Sequence, residues 1–309
     1  MLKHNLVLIY RNFKRFKSTF IINLIGLSAG LACTLLICLW VNDELNVDKF
    51  HENDARLFQI MENGQQTDGI KTQPSTPDLL GETIIKEFPE IEFTVSVTPY
   101  KWFGKFGLMV DEKTTKATGQ YASKDFFNVF SYPLLHGDKN KVLADKNSIV
   151  LSEDLAIKLF KSTEDIAGKT LDCQILNFKT PVIVSGVYRR LPANSTEQFD
   201  FVLSFESWKE LSLKVGRPIH WDNHGPYTFV VLAPGANPDS FNKKIAGFVK
   251  SKSKDSNADL FAVPFSNQYL YGTYQNGVQA GGRIDYVVLF SIIAIFILGI
   301  ACINFMNLS

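Results

Sequence analysis

Two long runs of apolar residues lie near the ends of the chain. Residues 19–41 and residues 286–308 each contain no Asp, Glu, Lys, Arg or His. An α-helix rises about 1.5 Å per residue, so a 23-residue run is about 34 Å long and crosses a hydrocarbon core of about 30 Å. A secretory signal peptide has a shorter apolar region that ends in small residues, whereas the first run ends in Leu39, Trp40 and Val41. The pattern predicts a transmembrane helix over each run.

The first apolar run contains Gly26 and Gly30 in a GxxxG spacing. Small residues allow two helix backbones to approach closely in lipid. We therefore predict that these glycines pack against another helix, either within a bundle or across a dimer. GxxxG also recurs by chance, so a small-residue face without a specific partner is the alternative.

The segment before the first run, residues 1–18, combines apolar residues at spacings of three or four with cations between them. This pattern predicts an amphipathic basic helix in the membrane interface. Two roles stay open for its cations. They either fix the orientation of the first membrane helix or form, through Arg11, Lys14 and Arg15, a docking surface for a cytoplasmic partner.

The charges divide unevenly between the two sides of the first run. Residues 1–18 hold five Lys and Arg and no acid, whereas residues 42–285 hold all 31 acids and the other 27 of the 32 cations. Cations that flank a first membrane helix stay in the cytoplasm. We therefore predict a cytoplasmic N-terminus and an extracytoplasmic module over residues 42–285. The overall charge of +1 gives no reason to expect a nucleic-acid partner.

The extracytoplasmic module is long enough for an ordinary hydrophobic core. It contains a single cysteine, Cys173, so no disulfide within it is expected. Val, Ile and aromatic residues predict strands at 57–61, 93–99, 148–151, 181–188 and 227–232. Apolar stripes of helical period predict helices at 77–88, 153–160 and 239–249, and Gly- and Asn-rich residues 266–282 predict a loop-like connector. The predicted class of the module is α+β.

No segment carries a complete catalytic or metal-binding motif. The sequence AGKTL at 167–171 resembles part of a phosphate-binding loop, but Thr163 stands where its first glycine is required. His220 and His224 have a spacing that suits a metal only on a helix, and the glycine and proline that follow favour a loop. We therefore expect no catalytic residue, no cofactor, no metal and no enzymatic activity.

Several segments in order resemble one family of membrane proteins. They are the basic lead NLVLIYRNFKRFK, WVNDELNVDKFH after the first span, YASKDFFNVFSYPLLHGD, IVLSEDLAIKLF with DIAGKTL, VSGVYRRLPANSTEQFDFVLS, and the closing ACINFMNLS. Together they resemble the N-terminal half of an ABC transporter permease of the FtsX/MacB type, in the long form common in Bacteroidetes.

The resemblance implies a MacB-like periplasmic core domain between two transmembrane helices. A porter-like part built from βαβ units would comprise residues 42–112 and 201–282, and an inserted Sabre-like lobe would comprise residues 113–200. The implied protein lies in the bacterial inner membrane. Family members have at least four membrane helices, so the chain is expected to be a fragment of a longer permease.

The resemblance also implies a function. A separate cytoplasmic ABC ATPase would hydrolyse ATP, and the membrane helices of a homo- or heterodimer of permeases would transmit the movement to the extracytoplasmic domain. Export or control of envelope proteins would follow, with a further partner in the periplasm or outer membrane. From the residues alone, a two-helix membrane sensor with an extracytoplasmic ligand-binding domain is the alternative, and a membrane-tethered envelope enzyme is a further one.

Overall fold

The computed structural model describes residues 17–306, without the side chains of Thr19, Phe20 and Phe305. It divides into two units, which we describe separately. The membrane unit holds the residues up to Asn46 and those from Gly281 onward, and the extracytoplasmic unit holds residues 47–280. Most of the predicted basic lead helix, including Arg11, Lys14 and Arg15, lies outside the described residues, and its prediction stays untested.

The bounds of the secondary-structure elements are as follows. The described helices are α1 (Lys17–Leu45), α2 (Leu80–Glu87), α3 (Phe126–Val129), α4 (Glu153–Phe160), α5 (Phe205–Lys214), α6 (Pro238–Ile245), α7 (Phe248–Lys252), α8 (Phe265–Tyr271) and α9 (Arg283–Met306). The described strands are β1 (Leu57–Gln66), β2 (Gly69–Gln73), β3 (Ser75–Pro77), β4 (Ile91–Val97), β5 (Phe106–Val110), β6 (Lys113–Ala117), β7 (Gly119–Ala122), β8 (Leu134–His136), β9 (Ser148–Ser152), β10 (Thr170–Ile175), β11 (Phe178–Tyr188), β12 (Phe201–Ser204), β13 (His224–Leu232), β14 (Ala258–Pro264), β15 (Tyr274–Gln275) and β16 (Val278–Gln279).

The membrane unit consists of α1 and α9. Both helices are long and apolar enough to cross a membrane, and their side chains are mostly unburied. Leu36 of α1 is 65% exposed and Ile295 of α9 is 70% exposed, so neither helix is the core helix of a soluble domain. The two predicted spans are therefore confirmed as helices, with α1 beginning two residues earlier and ending four residues later than predicted.

The extracytoplasmic unit is built on a sheet of fourteen described strands. In one half the order is β14-β1-β13-β4, with each neighbouring pair antiparallel. Strand β1 leads through α2 to β4, and β13 leads through α6 and α7 to β14. Since another strand lies between the two strands of each unit, this half is a pair of split βαβ units.

The helices of this half cover one face of its sheet. Ile84 of α2 and Phe241 and Ile245 of α6 are fully buried against apolar strand residues such as Ile60 and Val230. The sequence places these residues at helical and alternating spacings, which is why they share one core.

The other half of the sheet has the order β7-β12-β9-β11-β10-β5-β6. It contains two parallel pairs, β7 with β12 and β9 with β11, and its remaining described pairs are antiparallel. Its own core gathers buried residues such as Phe106, Ile149 and Phe201. A mixed sheet with helices packed on it confirms the predicted α+β class.

The two halves meet at a short seam between β4 and β7. Val97 and Ala122 are the register pair there, and the hydroxyl groups of Thr98 and Ser123 each accept a backbone N–H from the opposite strand. The seam does not fix lobe boundaries, because β5 and β12 belong to the second half of the sheet but fall inside the predicted porter-like ranges. The ranges 42–112, 113–200 and 201–282 stay a prediction.

The outer edge of β14 is shielded by neighbouring helical residues. The Asn242 side chain accepts a hydrogen bond from Ala262 N at 2.6 Å and donates one to Ala262 O at 3.2 Å. Leu260 N donates to Ala246 O at 3.0 Å. The backbone groups that an edge strand leaves open are thus partly paired.

Three local predictions need correction. The predicted helix 77–88 begins only at Leu80, because residues 75–77 form β3 beside β13. The predicted helix 239–249 is broken at Ala246–Gly247, where the Ala246 carbonyl bonds β14 instead of continuing the helix. The predicted connector 266–282 is wrong as a loop, since it contains most of α8 and the β15–β16 hairpin.

Candidate functional site: the paired membrane helices and the Asp48 anchor

Small residues allow α1 and α9 to approach closely. An added Cβ on Gly30 would lie 2.8 Å from the Ala301 Cβ, and one on Gly26 would lie 3.4 Å from Asn304 Nδ2. The structure thus places both glycines of the GxxxG pattern against the second helix of the same chain. A side chain at position 30 would push the helices apart, because real Cβ atoms do not approach another atom so closely.

Aromatic rings make a second contact between these helices. Trp40 and Phe290 lie edge to face, with ring centroids 5.1 Å apart. Such pairs are favoured because the positive edge of one ring meets the negative face of the other.

An ion pair joins the ends of the helices where the chain leaves the membrane unit. Arg283 Nε donates to Glu44 Oε2 at 3.1 Å, and Arg283 Nη2 donates to Glu44 Oε1 at 3.0 Å. The Glu44 side chain is only 10% exposed, whereas that of Arg283 is 51% exposed. A two-point guanidinium–carboxylate contact fixes orientation as well as distance. The helices are therefore held at one end by charge and along their length by close packing.

The first turn of α9 is fixed locally. The Asp285 carboxylate accepts a hydrogen bond from the Gly282 backbone N–H at 3.1 Å. An acid in the first turn of a helix accepts hydrogen bonds from backbone N–H groups that have no partner within the helix. Its negative charge also interacts favourably with the positive end of the helix dipole. This contact keeps Arg283 in a defined position beside Glu44.

Asp48, in the extracytoplasmic unit, forms a separate anchor. Its carboxylate accepts hydrogen bonds from Thr196 N at 2.9 Å and Thr196 Oγ1 at 2.6 Å, and its own N–H donates to Asn194 O at 3.0 Å. Its side chain is buried, and this burial raises the pKa of the carboxyl group above its usual value despite the bonds from Thr196. The residue just after the first membrane helix is thus tied to the loop between β11 and β12.

His51 lies three residues further on, in an aromatic cluster. Its Nδ1 accepts a hydrogen bond from Ser131 N at 3.2 Å, and its ring packs near Phe130, Tyr132 and Phe265. Burial lowers its pKa to about 4, so the ring is neutral at pH 7. It serves as a packed, uncharged core residue.

His220 and His224 each lie beside a different carboxylate. Asp222 lies beside His220, with 3.2 Å between His220 Nδ1 and the Asp222 carboxylate, and Glu62 lies 2.7 Å from His224 Nδ1. His224 begins β13 and His220 lies in a bend, which confirms that the segment is not helical. No group of three or more metal-ligating side chains occurs among the described residues.

Sequence reasoning identified Gly26 and Gly30 but missed Glu44, Arg283, Asp48 and Thr196. Glu44 and Arg283 could have been identified from sequence, because they are an acid and a base that lie just outside the two apolar runs. For Asp48 and Thr196 no spacing signal exists, because 148 residues separate them along the chain.

One protein family matches most of the chain. A family model for the MacB-like periplasmic core domain matches residues 20–248. The search of curated proteins gave no match.

One solved structure shares the fold, and two others show a weaker likeness. The crystal structure of a domain of a provisionally named permease protein from Porphyromonas gingivalis superposes with a TM-score of 0.55 and 23% identity, covering 70% of this chain and 93% of that one. The periplasmic region of MacB from Actinobacillus actinomycetemcomitans gives a TM-score of 0.48 and 16% identity, with coverage of 70% and 91%. The extracellular domain of the noncanonic ABC-type transporter YknZ from Gram-positive bacteria gives 0.46 and 16%, with coverage of 67% and 99%.

The family match extends over well over half of the chain and includes α1 from its fourth residue. Two apolar helices flank a mixed α/β domain that shares its fold with the Porphyromonas gingivalis permease domain. The chain belongs to the family with a MacB-like periplasmic core domain, which confirms its predicted resemblance to permeases of the FtsX/MacB type.

Proposed function

We propose that the chain is a permease subunit that converts ATP hydrolysis by a separate cytoplasmic ATPase into movement of its extracytoplasmic domain. The movement would serve export or the control of envelope proteins. In this proposal the chain carries no enzymatic activity of its own and lies in the bacterial inner membrane, with its N-terminus in the cytoplasm and residues 47–280 in the periplasm.

The observation that carries the proposal is the ion pair between Glu44 and Arg283. A helix transmits force to a domain only if its end is held firmly, because a frayed end absorbs the displacement. The chain passes from one unit to the other at Asn46–Val47 and again at Ala280–Gly281. Glu44 lies two residues before Asn46, and Arg283 lies two residues after Gly281. The pair therefore supports joint movement of α1 and α9.

The distribution of charge supports the orientation. The five cations before residue 19 meet no acid in that segment, and such flanks are retained in the cytoplasm. The same cations are the proposed contact for the ATPase, in particular Arg11, Lys14 and Arg15. Two permease copies per assembly are part of the proposal.

The test uses the full chain with its ATPase in lipid nanodiscs. Spin labels at Leu176→Cys, in a background with Cys33→Ala, Cys38→Ala and Cys302→Ala, report the distance between two copies. We expect this distance to differ between the nucleotide-free state and the state trapped with ATP and vanadate. An unchanged distance while the bound ATPase hydrolyses ATP would contradict the proposed transmission.

A second arm tests the docking helix. The combined variant Arg11→Glu, Lys14→Glu and Arg15→Glu should lose co-purification of the ATPase. Reversal of the exposed cations Lys113, Lys139 and Lys141, on the extracytoplasmic unit, is the matched control and should leave it unchanged. Normal insertion together with normal ATPase binding in the first variant would contradict the role of these cations.

A further inference from the structure

An open cavity of about 590 Å³ lies on the extracytoplasmic unit beside β14, α8 and the β15–β16 hairpin. This volume is within the range of about 300 to 1,000 Å³ that is usual for small-molecule sites. Its lining includes three aromatic and three amide side chains: Phe261, Tyr271, Tyr274, Asn267, Gln268 and Gln279. The permease function proposed above makes no use of it.

The aromatic side chains form one wall. Tyr274 packs edge to face on Phe261 with ring centroids 5.9 Å apart, and Tyr271 is half-buried. The face of an aromatic ring is electron-rich and attracts weakly positive C–H groups. A flat array of such C–H groups on a ligand would fit this wall.

The amides supply hydrogen-bond donors and acceptors. Asn267 and Gln279 are exposed, and the Gln268 side chain also lines the cavity. Each of these amides carries N–H donors and a C=O acceptor, so a ligand with hydroxyl or amide groups would find hydrogen-bond partners at the exposed ones.

No charged side chain among the described residues lines this cavity. Other cavities of the same unit differ, since one is lined by Lys146, Glu210 and Lys214, and another by charged residues that include Asp78 and Lys86. A phosphate or carboxylate would find no cation in the uncharged cavity. This lining suits a neutral molecule with many hydroxyl or amide groups.

The hairpin beside the cavity is held in place. The Asn276 side chain accepts a hydrogen bond from Ile70 N at 2.9 Å, and Asn63 Nδ2 donates to Gly277 O at 3.3 Å. Asn276 and Gly277 both have positive φ, 48° and 82°, as a tight Asn-Gly hairpin turn requires. The wall is pre-formed, which lowers the cost of binding.

We propose that this cavity binds a neutral saccharide. Sugar rings present C–H groups on a face and hydroxyl groups at the edge, and these match the aromatic wall and the three amides. A soluble glycan and the headgroup of a neutral glycolipid share this chemistry. The site is independent of ATPase coupling, so either proposal can fail without the other.

The test titrates the full chain, in nanodiscs of phosphatidylcholine, with tetra-N-acetylchitotetraose and with maltotetraose by isothermal calorimetry. We expect saturable binding of at least one. Gln268→Ala and Tyr271→Ala should weaken it by about tenfold each, whereas Tyr271→Phe, which keeps the ring, should change it less than about threefold. Gln66→Ala, an exposed residue outside the cavity, is the matched control for Gln268→Ala.

Two outcomes would overturn the proposal: neither sugar binds, or binding is unaffected by Gln268→Ala and Tyr271→Ala. A parallel titration in nanodiscs that contain monoglucosyl diacylglycerol distinguishes the sources. If the glycolipid reduces the affinity for the soluble sugar in the wild type but not in Tyr271→Ala, the headgroup occupies the same site. If it does not compete, the source is a soluble glycan.

Discussion

Arg283 contacts Glu44 through two hydrogen bonds of 3.1 and 3.0 Å, and these residues belong to opposite ends of the chain, 239 positions apart. Each stands just beyond an apolar helix. The contact holds together the C-terminal end of α1 and the N-terminal end of α9.

Removing one partner of this pair should destabilise the membrane unit. Arg283→Gln leaves a nearly buried carboxylate with less compensation, and we expect a loss of about 3 kcal/mol in the free energy of unfolding, measured by steric trapping in bicelles. The double reversal Glu44→Arg with Arg283→Glu should recover part of it. The pair Asp138–Lys141, whose side chains are 48% and 82% exposed, is the control and should give a coupling energy near zero. Equal coupling energies for the two pairs would contradict the special role of Glu44 and Arg283.

A larger residue at Gly30 should separate the helices. Gly30→Leu introduces atoms where Ala301 already lies within 2.8 Å of the added Cβ, and we expect destabilisation of about 1 to 3 kcal/mol in the same assay. Gly299→Leu is the matched control, because nothing lies within 4 Å of a Cβ at that glycine. Ala301→Gly should partly restore the Gly30→Leu variant, and an intact helix pair in Gly30→Leu alone would refute this packing.

The Asp48 anchor should tolerate an amide but not a methyl group. Asp48 has φ of 58°, which Asn adopts readily, and an Asn oxygen still accepts from Thr196 N. Asp48→Ala leaves that N–H unpaired and strains the backbone, so we expect it to cost about 2 to 3 kcal/mol in denaturant unfolding of the full chain. Asp48→Asn should cost less than about 1 kcal/mol. Similar losses for both variants would show that charge, not hydrogen bonding, is essential.

Glu197 should make stability depend on pH. Burial raises the pKa of this carboxyl group from 4.5 to about 7, with Lys101 opposing and Asp48 adding to the rise. The folded state therefore holds the proton more firmly than the unfolded state, and stability falls as pH rises from about 4.5 through 7.

Glu197→Gln removes this ionisation and should be more stable than the wild type at pH 8 by up to about 3 kcal/mol, a figure reduced by solvent screening of the partly exposed group. The advantage should vanish below pH 4.5. Denaturant unfolding at both pH values measures it, and Glu112→Gln at an exposed turn controls for loss of a surface charge. A pH-independent difference would contradict the raised pKa.

The proposed orientation predicts which introduced thiols react with a reagent outside the cell. Leu176 is 73% exposed at the turn between β10 and β11, so Leu176→Cys should react with a membrane-impermeant maleimide on spheroplasts. The native background should be low, because Cys173 is buried with its pKa raised to about 12 and the other three cysteines lie in the apolar runs. Lys3→Cys should react only after permeabilisation. The reverse pattern would place the domain in the cytoplasm.

The strands and helices that follow strict periodicity were predictable from sequence. Helix α4 has the predicted bounds, because Ser152 caps it and its apolar residues face one side. The break at Ala246–Gly247 was not predictable from sequence. The Ala246 carbonyl accepts a hydrogen bond from Leu260 N of β14 instead of from the next helical turn, and this contact depends on tertiary structure.

The candidate site was predictable only in part. The small residues of α1 carry a local pattern, whereas Ala301 becomes relevant only once α9 lies beside Gly30. The Asp48 anchor joins two polar loops, and polar loop residues show no periodicity from which a partner follows. The uncharged cavity could not be predicted from sequence either. Its tyrosines and amides belong to residues 266–282, whose composition indicates a connector and not a binding site.

The shielded edge of β14 has a consequence for contacts between copies of the protein. An open edge strand of one copy can pair with an edge strand of another copy. The Asn242 amide occupies the N–H and C=O groups of Ala262. These groups are then not available for pairing with a strand of another copy. The shielded edge therefore disfavours association of copies through β14.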